Sequence, residues 1–68
     1  MIKKSVVIYK HKTSIALEDE FWEALKKIAI QDEISLSKLI ERVDKLRTVK
    51  NLSSALRVYI IHYYIYII

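Results

Sequence analysis

Residues 11–25, HKTSIALEDEFWEAL, pass from the period of a strand to the period of a helix with no Gly, Pro or Asn at the junction. In the first half the side chains alternate, with Thr13, Ile15 and Leu17 on one face and Lys12, Ser14 and Ala16 on the other, the pattern of a half-buried strand. A lone strand leaves backbone donors and acceptors unpaired along both edges, so residues 11–17 need a partner. Upstream, Val6 and Ile8 fall on the opposite parity, and a strand continuing through them must break or bulge near Lys10. A tight hairpin through Tyr9-Lys10-His11 would need positive φ angles, which Gly, Asn or Asp supply at least cost, and none of the three is there. The expectation is therefore that the strand pairs antiparallel with the same strand of a second molecule across a two-fold axis, giving an intertwined homodimer.

The size of the chain points the same way. Sixty-eight residues make one domain, 1–68, and a chain of this length hides only roughly 60% of its unfolded surface. With no Cys it has no disulfide or thiolate metal site to supplement the core, and His11 and His62 lie far from ligand-spaced neighbours, so no metal and no cofactor are expected. A hydrophobic content of 53% is more than so short a chain hides easily, which favours a core shared between copies. The net charge of +4 favours an acidic partner. Met1-Ile2-Lys3-Lys4 opens no signal-peptide pattern, so a cytoplasmic location is expected. The apolar run from Val58 to Ile68 is eleven residues long, short of the ~20 that span a bilayer, so no membrane span is expected.

Three helical segments follow the strand, at about 18–31, 35–46 and 51–64. Glu18, Asp19 and Glu20 set carboxylates at the first helix's N-terminus, where unpaired amides and the dipole favour them. Its apolar stripe is Phe21, Trp22, Leu25, Ile28 and Ala29, with Glu23 and Lys27 paired on the wet side. Ser35 caps a second helix striped by Leu36, Leu39, Ile40, Val43 and Leu46, and Asn51 caps a third carrying Leu52, Ala55, Leu56, Tyr59, Ile60 and Tyr63. No internal repeat or linker interrupts the chain.

A two-stranded ribbon fits the major groove of B-form DNA. There Lys donates to guanine, Ser pairs with several base edges and Ala touches the thymine methyl, so Lys12, Ser14 and Ala16 are suited to base contact. A solvated, anti-aggregation face is the plainer reading of the same three residues.

Lys12-Thr13-Ser14-Ile15-Ala16-Leu17, the carboxylate-rich helix start and Ser35-Leu36-Ser37-Lys38-Leu39-Ile40 together resemble the ribbon-helix-helix (Arc/MetJ/CopG-type) DNA-binding superfamily. HKTSIALEDEFW with NLSSALRVYI resembles a subgroup of its short bacterial members. The likeness runs over roughly residues 10–60. It implies a mainly α fold with one short strand, an intertwined dimer whose intermolecular ribbon enters the major groove, and a third C-terminal helix. It also implies base contact by Lys12, Ser14 and Ala16, and phosphate contact by Ser35, Leu36 and Ser37 at the second helix's start. A helix N-terminus with nearby hydroxyls is a ready anion site, and Lys38 adds charge. Ile15, Leu17, Trp22, Leu39 and Val43 are expected in the dimer core.

Two positions depart from the family pattern. Asp32-Glu33 stands where members commonly carry Gly, so a left-handed residue there costs roughly 1 kcal/mol. Ala16 lacks the polar side chain often found at the third outward position, which makes base readout poorer in hydrogen bonds.

The expected function is that of a small bacterial transcriptional regulator binding double-stranded DNA, with no enzymatic activity, since a small helical dimer offers mostly convex surface. The alternative is an antitoxin-like or oligomerisation module that holds a partner protein through its apolar C-terminal tail. Arg42, Lys45, Arg47 and Lys50 are read first as complements to a helix C-terminus, and only second as a backbone-contacting flank.

Overall fold

The computed structural model describes residues 1–66 and gives two strands followed by three helices: β1 (Ile2–Ile8), β2 (His11–Leu17), α1 (Asp19–Gln31), α2 (Leu36–Leu46) and α3 (Leu52–Tyr66). Ile67 and Ile68, the end of the apolar run, lie outside the described residues.

The two-stranded antiparallel ribbon is there, and both of its strands belong to one chain. β1 pairs with β2 from Ile2↔Leu17 to Ile8↔His11. The reading that excluded a hairpin is thereby corrected: Tyr9 and Lys10 form a two-residue turn at φ 51° and 66°, left-handed values taken without Gly, Asn or Asp. Such residues cost roughly 1 kcal/mol or more each. Tertiary bonds at the tip offset the cost, because the Tyr9 amide donates to Glu41 Oε2 on α2 at 2.9 Å and its hydroxyl donates to Asp44 Oδ2 at 3.0 Å.

A two-residue turn also explains the change of parity. Directly opposed residues share a face, so the pairs Val6↔Thr13 and Lys4↔Ile15 bring the even positions of β1 and the odd positions of β2 to the same side. That side covers the helices with Val6, Ile15 and Leu17, which meet Trp22, Leu25, Ile28, Leu39, Ile40, Val43, Leu56 and Ile60 in one core. Ile15, Leu17, Trp22, Leu39 and Val43 are each at most 4% exposed within the single chain. Trp22 is fully buried, and its indole N–H needs an acceptor there. The Ile2 carbonyl supplies it at 2.8 Å, fastening the start of β1 to α1.

The helices begin and end as local chemistry dictates. Ser35 Oγ accepts from the Lys38 amide at 3.1 Å, and Asn51 Oδ1 accepts from the Ser54 amide at 3.2 Å. Glu18 opens α1 without a side-chain cap, its carboxylate turned instead to Arg57 on α3 at 2.9 Å. α1 closes with the Ile34 amide on the Ala29 carbonyl and the Glu33 amide on the Ile30 carbonyl, and Glu33 takes φ 56°. This double-bonded C-terminal turn is the place where Gly is usual. On the wet side of α1, Glu23 pairs with Lys26 at 3.6 Å rather than with the expected Lys27. No helix among the described residues is long and apolar enough to cross a membrane.

Candidate nucleic-acid interface

The face of the hairpin turned away from the helices carries Lys3, Ser5 and Val7 from β1 and Lys12, Ser14 and Ala16 from β2. All are exposed except the half-buried Ala16. The register sets Lys3 opposite Ala16, Ser5 opposite Ser14 and Val7 opposite Lys12. The three residues expected to point outward on the second strand therefore lie on one open surface, beside three more that sequence reasoning did not single out. Two signals for the latter were present: the change of parity at Tyr9-Lys10, and the similarity of Lys3-Lys4-Ser5-Val6-Val7 to Lys12-Thr13-Ser14-Ile15-Ala16.

Charge is concentrated on the same element. Lys3, Lys4, Lys10 and Lys12 precede Glu18, and no acidic residue does. The remaining chain carries eight Lys and Arg against eight Asp and Glu, so the whole +4 resides in the hairpin. Lys4 is on the inner face, its ammonium 5.3 Å from the centre of the Trp22 ring. Lys3, Lys10 and Lys12 are exposed and make no ion pair among the described residues. In water such charges are free to meet an anion.

At the start of α2, Ser35 is exposed and engaged as the cap. The amides of Leu36 and Ser37 belong to the first turn, which has no preceding carbonyl within the helix to bond. Leu36 and Ser37 are half-buried and Lys38 is exposed, with its ammonium 3.7 Å from Glu41 Oε1. Glu41 thus serves both the hairpin tip and Lys38, so the tip and the first turns of α2 are tied through one carboxylate.

The basic flank divides. Arg42 pairs with Asp32 at 2.9 Å and Arg47 with Asp44 at 2.8 Å, while Arg47 also donates to the Lys50 carbonyl beyond the end of α2. These arginines brace helix ends. Lys45 and Lys50 are exposed. His11 is exposed beside the turn, and among the described residues no group of three His, Cys, Asp or Glu could hold a metal ion.

Residues 1–64 match the family model of the ribbon-helix-helix domain. No curated protein and no solved structure shows a significant similarity to the chain. The match covers both strands and nearly all of the three helices. A two-stranded antiparallel sheet laid on three helices, its outer face basic and free of acids, is thus the form that this chain gives to the ribbon-helix-helix domain, a family of DNA-binding, non-enzymatic regulators to which it belongs.

Proposed function

We propose that the chain is a homodimeric, sequence-specific regulator of transcription that inserts its hairpin into the major groove of duplex DNA. In this reading Lys12 donates to guanine acceptors, Ser14 bonds a base edge and Ala16 packs on a thymine methyl. Ser35, Leu36, Ser37 and Lys38 hold a backbone phosphate through first-turn amides, hydroxyls and one ammonium. The observation that carries the reading is the outer face of the hairpin, exposed, free of acidic residues and set on the element that holds all of the net charge.

Dimerisation is supported by exposed apolar groups away from that face. Val58, Ile61 and Ile65 recur at i, i+3 and i+7 along α3 and are 48%, 48% and 63% exposed. They adjoin a groove of about 240 Å³ lined by Leu46, Val49, Val58 and His62 among others. A partner protein on the same tail is the second reading that this stripe supports.

The test is a titration of duplex DNA at two salt concentrations. Each phosphate neutralised contributes about −0.9 to the log–log slope, so binding weakens steeply with salt, and a flat response removes the reading. Lys12→Ala lowers affinity while leaving the melting transition in place.

A further inference from the structure

The hairpin is fastened to the helices at both ends. At its base the Trp22 indole N–H donates to the Ile2 carbonyl at 2.8 Å. At its tip the ties of Tyr9 run to α2: the amide donates to Glu41 Oε2 at 2.9 Å, and the hydroxyl donates to the Glu41 carbonyl at 3.3 Å and to Asp44 Oδ2 at 3.0 Å. The other carboxylate oxygen, Glu41 Oε1, lies 3.7 Å from Lys38 Nζ. One carboxylate thus meets a backbone amide of the hairpin with one oxygen and a cation near the start of α2 with the other.

A Glu three residues after a Lys is an ordinary pairing of a helix surface and contributes little by itself. Glu41 departs from that pattern in two ways. Its side chain is 17% exposed where that of Lys38 is 73% exposed, and its second oxygen reaches a residue 32 positions away. The amide it accepts from belongs to left-handed Tyr9, so the carboxylate fixes the turn against α2.

We infer that Glu41 is a positioning residue for DNA recognition: by accepting from the Tyr9 amide, its carboxylate holds the tip of the hairpin in place relative to the phosphate-binding start of α2. The inference rests on the DNA-binding reading above and gives Glu41 no contact with DNA.

Glu41 lies five residues after Leu36, about 8 Å along the helix at about 1.5 Å per residue. The turn it holds is followed at once by His11 and Lys12 of β2. Phosphate contacts set a protein's register on the duplex, and base contacts read sequence from that register. A tip released from α2 keeps its charge and still meets the duplex, but it places Lys12 less sharply. The loss then falls on discrimination between sequences rather than on attraction to DNA.

The chain is first used to select bound sequences from a random duplex pool. Wild type, Glu41→Gln, Glu41→Ala and Glu41→Met are then titrated on the selected DNA element and on an unrelated duplex, with circular dichroism melting to establish that each variant is folded. Gln keeps an acceptor for the Tyr9 amide and loses the charge, whereas Ala and Met lose both. Met also keeps the length and helix propensity of Glu, which guards against failure of Ala to fold. Glu41→Gln is expected to bind both duplexes as tightly as wild type or up to about five-fold more tightly, since Lys38 is freed, with their affinity ratio unchanged. Glu41→Ala and Glu41→Met should bind the unrelated duplex no more weakly than wild type and lower the ratio by about ten-fold, the scale of one lost base contact. If they weaken both duplexes by one factor, or leave the ratio as in wild type, Glu41 serves the fold alone and the positioning role is overturned, although DNA binding stands. If Glu41→Gln loses discrimination as Ala does, the acceptor is not what places the tip, and the inference falls in the same way. If the wild-type chain shows no salt-dependent binding to any duplex, the underlying functional reading falls with it.

Discussion

Among the described residues Tyr9, Lys10 and Glu33 hold positive φ in a chain without glycine, the first two at the turn between β1 and β2 and the third at the close of α1. Glu33 makes no side-chain hydrogen bond or ion pair among the described residues, so little side-chain interaction opposes its replacement. Glu33→Gly is expected to raise stability by about 0.5–1 kcal/mol, with the left-handed cost relieved and part of the gain returned as glycine's greater freedom when unfolded. Urea unfolding checks this as a higher midpoint at unchanged slope. Tyr9 differs because its left-handed backbone is held by bonds to α2. Tyr9→Phe keeps the ring but loses the hydroxyl's bonds to the Glu41 carbonyl and Asp44, and a lower melting temperature is expected. Desolvation, then the bond to Asp44, hold the Tyr9 phenol above its ordinary pKa of 10.0. The folded state thus favours the protonated phenol, a contribution present below pH 10 and lost as pH rises beyond it. These residues also show where sequence reasoning stopped. The rule that tight turns want Gly, Asn or Asp measures local cost alone, and Glu41 and Asp44, more than thirty positions away, are not visible to it. The alternation from Thr13 to Leu17 was visible, because burial of one face dictates it directly.

At the scale of elements, the helices were legible in the sequence. Ser35 and Asn51 make the cap bonds expected of them, and the stripes of α1 and α2 lie in the core apart from exposed Leu46. What the stripes do not reveal is which elements are fastened together by single polar contacts. Arg57 ties α3 to the start of α1: its guanidinium bonds both oxygens of Glu18, at 2.9 and 3.4 Å, and lies 5.9 Å from the Phe21 ring. That bond is the leading cause holding the Glu18 carboxyl below its ordinary value of 4.5. A carboxyl depressed on folding stabilises the protein above its unfolded pKa, and the contribution disappears as pH falls through that value and below. Glu18→Gln is accordingly expected to flatten the loss of melting temperature between pH 5 and pH 3, with little change in its slope from pH 6 to 8. Trp22 makes the corresponding tie from α1 to β1. Trp22→Phe leaves the Ile2 carbonyl without its indole donor and is expected to cost about 1–2 kcal/mol in urea unfolding.

For the whole molecule, charge and apolar surface are separated along the chain. The hairpin holds the +4, while the sequence after Arg57 contains no Lys, Arg, Asp or Glu. Two copies approaching through their hairpins would repel, whereas α3 beyond Arg57 carries no charged Lys, Arg, Asp or Glu side chain to oppose a contact, and the stripe of Val58, Ile61 and Ile65 would gain by leaving water. If self-association uses that stripe, the two hairpins remain open on a dimer, and each can occupy a short element of its own. Affinity for paired elements then exceeds affinity for one by effective concentration, provided that their spacing lets both ribbons dock. Ile61→Glu separates the two levels. Ile61 is half exposed within the single chain, so the substitution should leave the melting temperature near wild type and shift sedimentation at micromolar concentration to the monomer. The monomeric variant is expected to bind a single element as wild type does and to lose the advantage on paired elements. Loss of binding to the single element as well would mean that a second copy completes the reading surface itself. An unchanged dimer would place the contact between copies elsewhere, with the open edge of β2 the next surface to test.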